Sequence, residues 1–405
     1  MKQILIICTM AFWLTISSSS FAETFVLSSV KQNVNAENFS MSGNGWSVTK
    51  QSLHGGRQEG CEMVTVNNGV LIIRVIPTRG MSILDVVKGD VRMGWDSPVP
   101  EVVNPAHIDL ESRGGLGWLE GFNEWMVRCG LEYAGHPGTD VMINNTGEKS
   151  EQTLTLHGKI GNIPASEVTL HVDGNTLRLR GTVYEKFFYG PKFKLVTEIA
   201  TEIGSDTWSI NDSLTNLGGA DQEFQLIYHG NYGSSILEGG AMVHATAKSV
   251  TPMNAHAAKA VNSWQTYAPP TQGFSEEVYL IEPVADSAGN AYALLHNKAA
   301  DLATTVSYRI EQLPYFTLWK NTTSREDGYV TGLEPGTGYP FNRMVERSFG
   351  RVPKIAPGET RNFNLSYTLL EGAANVSAAV RQIAAVQGGA AIQINTEAPK
   401  LPPAP

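Results

Sequence analysis

The sequence predicts an all-β protein built as a large antiparallel β-sandwich. Three observations carry that prediction. Short runs of alternating apolar and polar residues recur along the chain, turn residues separate them, and long stretches of helical periodicity are scarce. With 40 Gly and 20 Pro among 405 residues, turns are plentiful, and more than ten short strands fit between them.

In chain order, residues 1–22, "MKQILIICTMAFWLTISSSSFA", come first. One Lys2, an apolar stretch from Ile4 to Ile16, a serine run and a small-x-small Ser20-Phe21-Ala22 are the marks of a secretory signal peptide. Cys8 lies inside the apolar stretch, after Ile7, rather than at its end as a lipid-attachment cysteine would. A protein exported to the periplasm or secreted is therefore expected, with 23–370 as a single domain.

Alternation marks strands at 61–77, 152–161, 166–185, 193–203 and 207–218, and again at 291–297, 303–312, 315–321 and 360–370. Asn68-Gly69 and Asp173-Gly174 sit between period-2 runs and read as hairpin turns. The stretch 86–137 is different, rich in Gly, Trp and Pro with little alternation. It is expected either to fold over a site or to cap one end of the sandwich. After Leu370 the composition turns to Ala, Gly, Val and Gln and ends "NTEAPKLPPAP". A short helix over "NVSAAVRQIAAV" and a partly disordered tail over 371–405 are expected.

The net charge is −9, and loss of Lys2 with the leader makes it −10. Such a balance offers no basic stripe for nucleic acid or for an anionic membrane, and argues against both as partners. Beyond Cys8 there are only Cys61 and Cys129, too few for a disulfide scaffold but enough for one bridge. No CxxC pair and no HExxH appear, so neither a metal nor a cofactor is called for.

A β-sandwich enzyme without such groups works with side chains alone, as an acid and a base. Of nine histidines, His54, His136, His171 and His244 read as turn or strand residues. His157 in "TLHGKIGNIPA" and His229 in "FQLIYHGNYGSSIL" follow apolar runs and precede glycines, and Glu334 in "YVTGLEPGTG" repeats the arrangement. All three are read as lying at strand exits, where they would meet in one cleft. Each alone also fits a plain turn or a solvated strand end.

The segments "LHG" (156–158), "YHGNYG" (228–233) and "GLEPGTGYPFNR" (332–343) resemble, in order and spacing, motifs of the aldose 1-epimerases, the galactose mutarotase-like proteins. "PTRGM" (77–81), "GLGWLEGF" (115–122), "RCGLEYAGHP" (128–137), "LHGKIGNIPA" (156–165) and "WKN" (319–321) are similar to a divergent, uncharacterised branch of that superfamily. The resemblance spans about 52–370. It departs from the mutarotase pattern around His229 and in the Gly336 that replaces a glutamine after Glu334-Pro335.

The resemblance implies the mutarotase-like supersandwich and a small sugar as partner, neutral, acidic or otherwise modified. It implies Glu334 as base, His229 as acid and His157 on the ring oxygen or a neighbouring hydroxyl. For those roles Glu334 is expected ionised and His229 protonated, each favouring the other. Arg79, Trp118, Asn231, Lys320 and Arg343 are candidate substrate contacts, with Trp125 and Trp319 as further apolar faces. The implied activity is interconversion of sugar anomers. The alternatives are a non-catalytic sugar-binding protein on the same fold and, third, a hydrolase or lyase pairing Glu334 with Glu120, Glu124 or Asp140.

Overall fold

The computed structural model describes residues 22–402. The expected leader therefore lies, except for Ala22, outside the described residues. Two large sheets, of ten and thirteen strands, enclose a common core. The chain opens the smaller sheet with β1 (Glu23–Ser29). It then lays β2 (Glu62–Asn67), β3 (Ile72–Ile76) and β4 (Ser82–Lys88) as an antiparallel meander in the larger sheet, and β5 (Met126–Leu131) crosses that sheet's middle. A second meander, β6 (Glu167–Asp173), β7 (Thr176–Lys186), β8 (Lys192–Glu202) and β9 (Thr207–Asn216), builds the smaller sheet. The larger sheet resumes with β10 (Gln225–Tyr232), β11 (Glu277–Pro283), β12 (Tyr315–Asn321) and β13 (Val330–Gly336). The smaller one gains β14 (Thr360–Glu371), paired to β9.

Both expected hairpins form, Asn68-Gly69 lying between β2 and β3 and Asp173-Gly174 between β6 and β7. In β7, β8 and β9 the burial alternates residue by residue, so Leu179, Leu195 and Ile210 enter the core while their neighbours face outward. That is the period-2 pattern the sequence displays. The two sheets are also tied by charge. Arg128 of β5 forms a buried ion pair with Asp212 of β9, and the Tyr228 hydroxyl of β10 donates to the same carboxylate at 2.8 Å.

The helix expected over "NVSAAVRQIAAV" forms after β14. Helix α1 (Ala373–Gln387) sets Val376 and Ile383, two turns apart, against Leu294 and Ala303 of the smaller sheet. Gln393–Ile394 then adds a short parallel strand beside Ala247–Pro252. Apolar burial by two side chains and a strand edge holds this segment to the domain.

Cys61 and Cys129 are both free and buried, in separate clusters. Burial pushes the Cys61 thiol up to about 11 and the Cys129 thiol well above its ordinary value. They do not form the bridge considered from sequence. No helix among the described residues is long and apolar enough to cross a membrane.

Candidate functional site

Four strands of the larger sheet frame the site: β10 pairs antiparallel with β5 on one side and β13 on the other, and β13 pairs with β12. On β10, Tyr228 points to the inter-sheet core and His229, the next residue, to the opposite, outer face. On β12, Thr317 and Trp319 take that outer face, and Glu334 of β13 stands opposite Thr317 in the ladder. His229 and Glu334 are thus mid-strand residues of a sheet face rather than strand-exit residues.

Segment 94–122 folds over this face and closes a cavity of about 470 Å³. Trp95, Trp118 and Phe122 from it, with Trp319, form the apolar walls. This is part of the stretch 86–137, expected either to fold over a site or to cap one end of the sandwich, and it covers the cavity. His157 reaches the cavity from a tight turn with φ +58°. Gly158 is required beside it, because a Cβ there would lie 2.2 Å from the Tyr133 carbonyl oxygen and 2.4 Å from that of Gly130. The Leu-His-Gly turn can dock against the end of β5 only with that glycine.

The polar geometry is narrow. His229 Nε2 lies 3.3 Å from Glu334 Oε1, within ion-pair range but without hydrogen-bond alignment. His229 Nδ1 meets Asn231 Oδ1 at 2.8 Å, and Asn231 Nδ2 donates to the carbonyls of Glu124 (3.0 Å) and His229 (3.2 Å). Because the Asn231 amide spends its donors on carbonyls, its oxygen must accept, so Nδ1 carries the proton and Nε2 offers a lone pair to Glu334. His157 Nδ1 donates to the Ala134 carbonyl at 3.0 Å, which likewise leaves Nε2 free. The two imidazoles lie edge to face, with centroids 5.2 Å apart.

Burial governs the protonation of this group. Glu334 is 2% and His229 4% exposed. Desolvation pushes the Glu334 carboxyl well above its usual range, helped by the nearby Glu276 charge. It pushes His229 well below its own, with His157 adding to the effect. Desolvation also brings His157 down to about 4. Burial thus works against the charged form of both residues, and so against the ionised Glu334 and protonated His229 expected from the sequence.

The other candidates divide. Trp118 lines the cavity, its ring 4.7 Å from His157. Asn231 is fully buried behind His229 and orients it instead of facing a ligand. Arg79 is buried against Glu124 at 2.9 Å and bonds Asn162 and the Gly121 carbonyl, away from the cavity. Lys320 follows Trp319 and so points to the other face of β12, where its ammonium donates to the Thr266 carbonyl at 2.8 Å. Arg343 is held by Asp140 at 2.6 Å. These three corrections share one cause, that a buried cation must be paired and has nothing left to offer a ligand. Trp125 lies in the inter-sheet core.

The carboxylates considered for hydrolysis are also engaged, Glu124 with Arg79, Asp140 with Arg343 and Arg347, and Glu120 with Ser112. None of the three lines the cavity.

Sequence reasoning missed most of the lining, including four residues with polar side chains. His136, read as a turn residue, faces the cavity, as does Thr317, whose buried Oγ1 has no partner among the described residues. Glu276 and Asp327 stand at the exposed rim, where Glu276 accepts from Trp319 Nε1 at 2.8 Å. Only the Gly-His-Pro context of His136 marked any of them in the sequence.

Among the described residues no Lys or Arg lines the cavity, so the acidic sugar considered from sequence finds no counter-charge there. No group of three or more potential metal ligands occurs among the described residues either.

A family model described as "Domain of unknown function (DUF4432)" matches residues 58–369. The chain belongs to the DUF4432 family. This DUF4432 chain is 41% identical to a solved protein of Klebsiella pneumoniae, called a "putative aldose 1-epimerase", over 93% of this chain and 98% of that one, with a TM-score of 0.87. A galactose mutarotase-like protein of Clostridium acetobutylicum shares the fold at 12% identity and TM-score 0.56, over 81% of this chain and all of that one. Galactose 1-epimerase of Lactobacillus acidophilus does so at 14% and 0.52, over 80% and 99%. The DUF4432 chain thus has the mutarotase-like β-sandwich fold. A comparison with curated proteins finds no match.

Proposed function

We propose that this protein is an aldose 1-epimerase-like isomerase, opening and reclosing the ring of an uncharged sugar to interconvert its anomers. The observation that carries the reading is the His229–Glu334 pair on the floor of an aromatic cavity, with His157 beside it.

Ring opening takes the proton from the C1 hydroxyl and places one on the ring oxygen as the C1–O5 bond breaks and the aldehyde forms. Rotation about C1–C2 and reclosure return both protons. Besides the proton fixed on His229 Nδ1, the buried pair shares one transferable proton, whether written as carboxylic acid and imidazole or as carboxylate and imidazolium. One member accepts while the other donates, so solvent need supply no proton. Burial favours the carboxylic acid with imidazole before a sugar enters, which makes His229 Nε2 the first acceptor and Glu334 the first donor. The mutarotase resemblance assigns the reverse roles, which differ only by moving that proton across 3.3 Å. Each such group supplies roughly 10²- to 10⁴-fold in rate.

Trp118, Phe122 and Trp319 offer the apolar surface that a pyranose ring covers, and the unpartnered Thr317 Oγ1 is available to a sugar hydroxyl. Glu276 and Asp327 with no facing cation disfavour a sugar acid. Export to the periplasm or beyond, read from residues 1–22, remains part of this proposal.

Exchange between α and β anomer signals, followed by NMR over a panel of neutral, amino and acidic sugars, tests it. Wild type should accelerate exchange of neutral sugars, and Glu334→Gln should abolish the acceleration while the fold persists. Sugar binding without any acceleration would make this a binding protein instead.

A further inference from the structure

The turn joining β7 to β8 exposes three consecutive aromatic residues, Phe187 at 61%, Phe188 at 78% and Tyr189 at 62%. They are held in a fixed shape. Phe187 N–H donates to the Pro191 carbonyl at 2.9 Å, and Lys192 Nζ lies beneath the turn, donating to the carbonyls of Phe188 and Gly190 at 3.1 Å each. Leu217, itself 46% exposed, is fastened to the same strand end through the Lys192 carbonyl at 2.8 Å. A rigid turn that presents this much apolar surface to water needs a partner to cover it.

The charge around the tip reverses that of the whole chain. Lys186, Lys192 and Lys194 stand on the outward face of the hairpin, Lys186 over the Tyr184 ring at 4.0 Å. Glu185 turns the other way, its carboxylate accepting the backbone N–H groups of Leu131 and Glu132. The nearest acids on the outward face are Glu198, four residues beyond Lys194, and Glu167, opposite Thr182. At ~3.4 Å per residue both lie roughly 13 Å back along the strands. In the neighbouring loops Glu359 is paired with Arg361, and Asp221 is a single acid. The net −9 of the chain argued against an anionic surface as partner, yet this end of the smaller sheet is locally basic.

We propose that the 187–189 tip is a peripheral membrane anchor, inserting its aromatic side chains among the headgroups of an anionic phospholipid surface while Lys186 and Lys194 meet the lipid charge. The geometry selects this occupant over two others. Polysaccharide would want a flat aromatic platform, but Phe188 and Tyr189 meet at 81°, which makes a wedge. A second copy would want more area. The three exposed side chains offer roughly 400 Å² at ~200 Å² per ring, about half of the ~800 Å² per partner that a stable interface needs. Aromatic residues with flanking lysines suit the interface between lipid and water. The candidate sugar site opens on the outer face of the other sheet, so anchoring leaves it clear.

The test uses the chain from Glu23 onward, which carries every described strand and helix. It is sedimented with vesicles of phosphatidylcholine alone and of phosphatidylcholine mixed with phosphatidylglycerol, at low and high salt. Wild type should partition onto the mixed vesicles at low salt. Reversing two lysine charges (Lys186→Glu with Lys194→Glu) should weaken this about tenfold or more. The triple variant Phe187→Ser, Phe188→Ser, Tyr189→Ser should do likewise, with its melting temperature and sugar binding kept. Absence of partition at low salt overturns the proposal, and so does partition that the triple variant leaves unchanged. A dimer seen by light scattering that the triple variant dissolves, without vesicle binding, would assign the tip to a second copy instead.

Discussion

Replacing Glu334 by glutamine tests whether burial, rather than pairing with His229, sets the charge of the candidate site. In an unfolded chain the carboxyl ionises near 4.5, whereas burial in the folded protein holds it protonated well above that value. Above pH 4.5 the folded state therefore binds one more proton than the unfolded state, and wild-type stability falls as pH rises. The slope from this group is about 1.4 kcal/mol per pH unit, continuing until the folded carboxyl itself ionises. His157 and His229 act in the opposite sense. Both are held neutral, so stability from them is lost as pH falls below 6.5, down to about 4 for His157.

The glutamine side chain of the variant carries no titrating proton, and both proteins keep both histidines, so the histidine contributions cancel in the comparison. Glu334→Gln should gain stability relative to wild type by about 1.4 kcal/mol per pH unit above 4.5, or about 2.7 kcal/mol over two units. Urea unfolding followed by tryptophan fluorescence, at half-unit steps between about pH 5 and 6.5, measures the difference directly. Parallel stability profiles would refute the reasoning. They would mean that His229 keeps Glu334 ionised, as simple pairing of the two residues suggested.

Other residues give sharper local tests. Asn231→Leu removes the acceptor that fixes the His229 tautomer, so anomer exchange should fall roughly tenfold or more through kcat with KM little changed, and Asn231→Asp, which keeps the acceptor, should retain more of it. In Gly332→Ala the new Cβ would lie 2.3 Å from Glu334 Oε1, so the carboxyl must swing away from His229 and exchange should be lost while the domain still folds. Lys320→Met should leave anomer exchange unchanged but cost about 3 kcal/mol of stability, because it strips the Thr266 carbonyl and Glu277 of the ammonium that faces them. A loss of exchange would return Lys320 to the ligand. Cys61 and Cys129 should be inert to a thiol reagent in the folded protein and both react on denaturation.

Much of the architecture is legible in the sequence because half-buried strands write their burial as alternation. The meander from β6 to β9, the hairpin at Asp173-Gly174 and the fold-over of 94–122 all follow from local pattern and composition. The strands that carry the candidate site do not alternate. β5, β10 and β13 are buried at every position, with the inter-sheet core on one face and the capped cavity on the other, so the period-2 signal vanishes where it would have been most useful. The tail shows the converse, since its composition describes a weakly apolar segment while two well-placed side chains suffice to dock it.

What the sequence by itself determined was the all-β class, the presence of His157, His229 and Glu334 in suggestive contexts, and the set of cations available to a ligand. Only the tertiary structure decided that the three residues share one cavity, because they lie on segments joined by pairings across about a hundred residues or more. It also decided that Arg79, Lys320 and Arg343 are occupied, since a cation's partner is named by the fold and not by its neighbours in the chain. It also set the desolvation of His229 and Glu334. Proximity can be guessed from motifs, but desolvation depends on everything packed around a group, and here it works against the charged form of both residues.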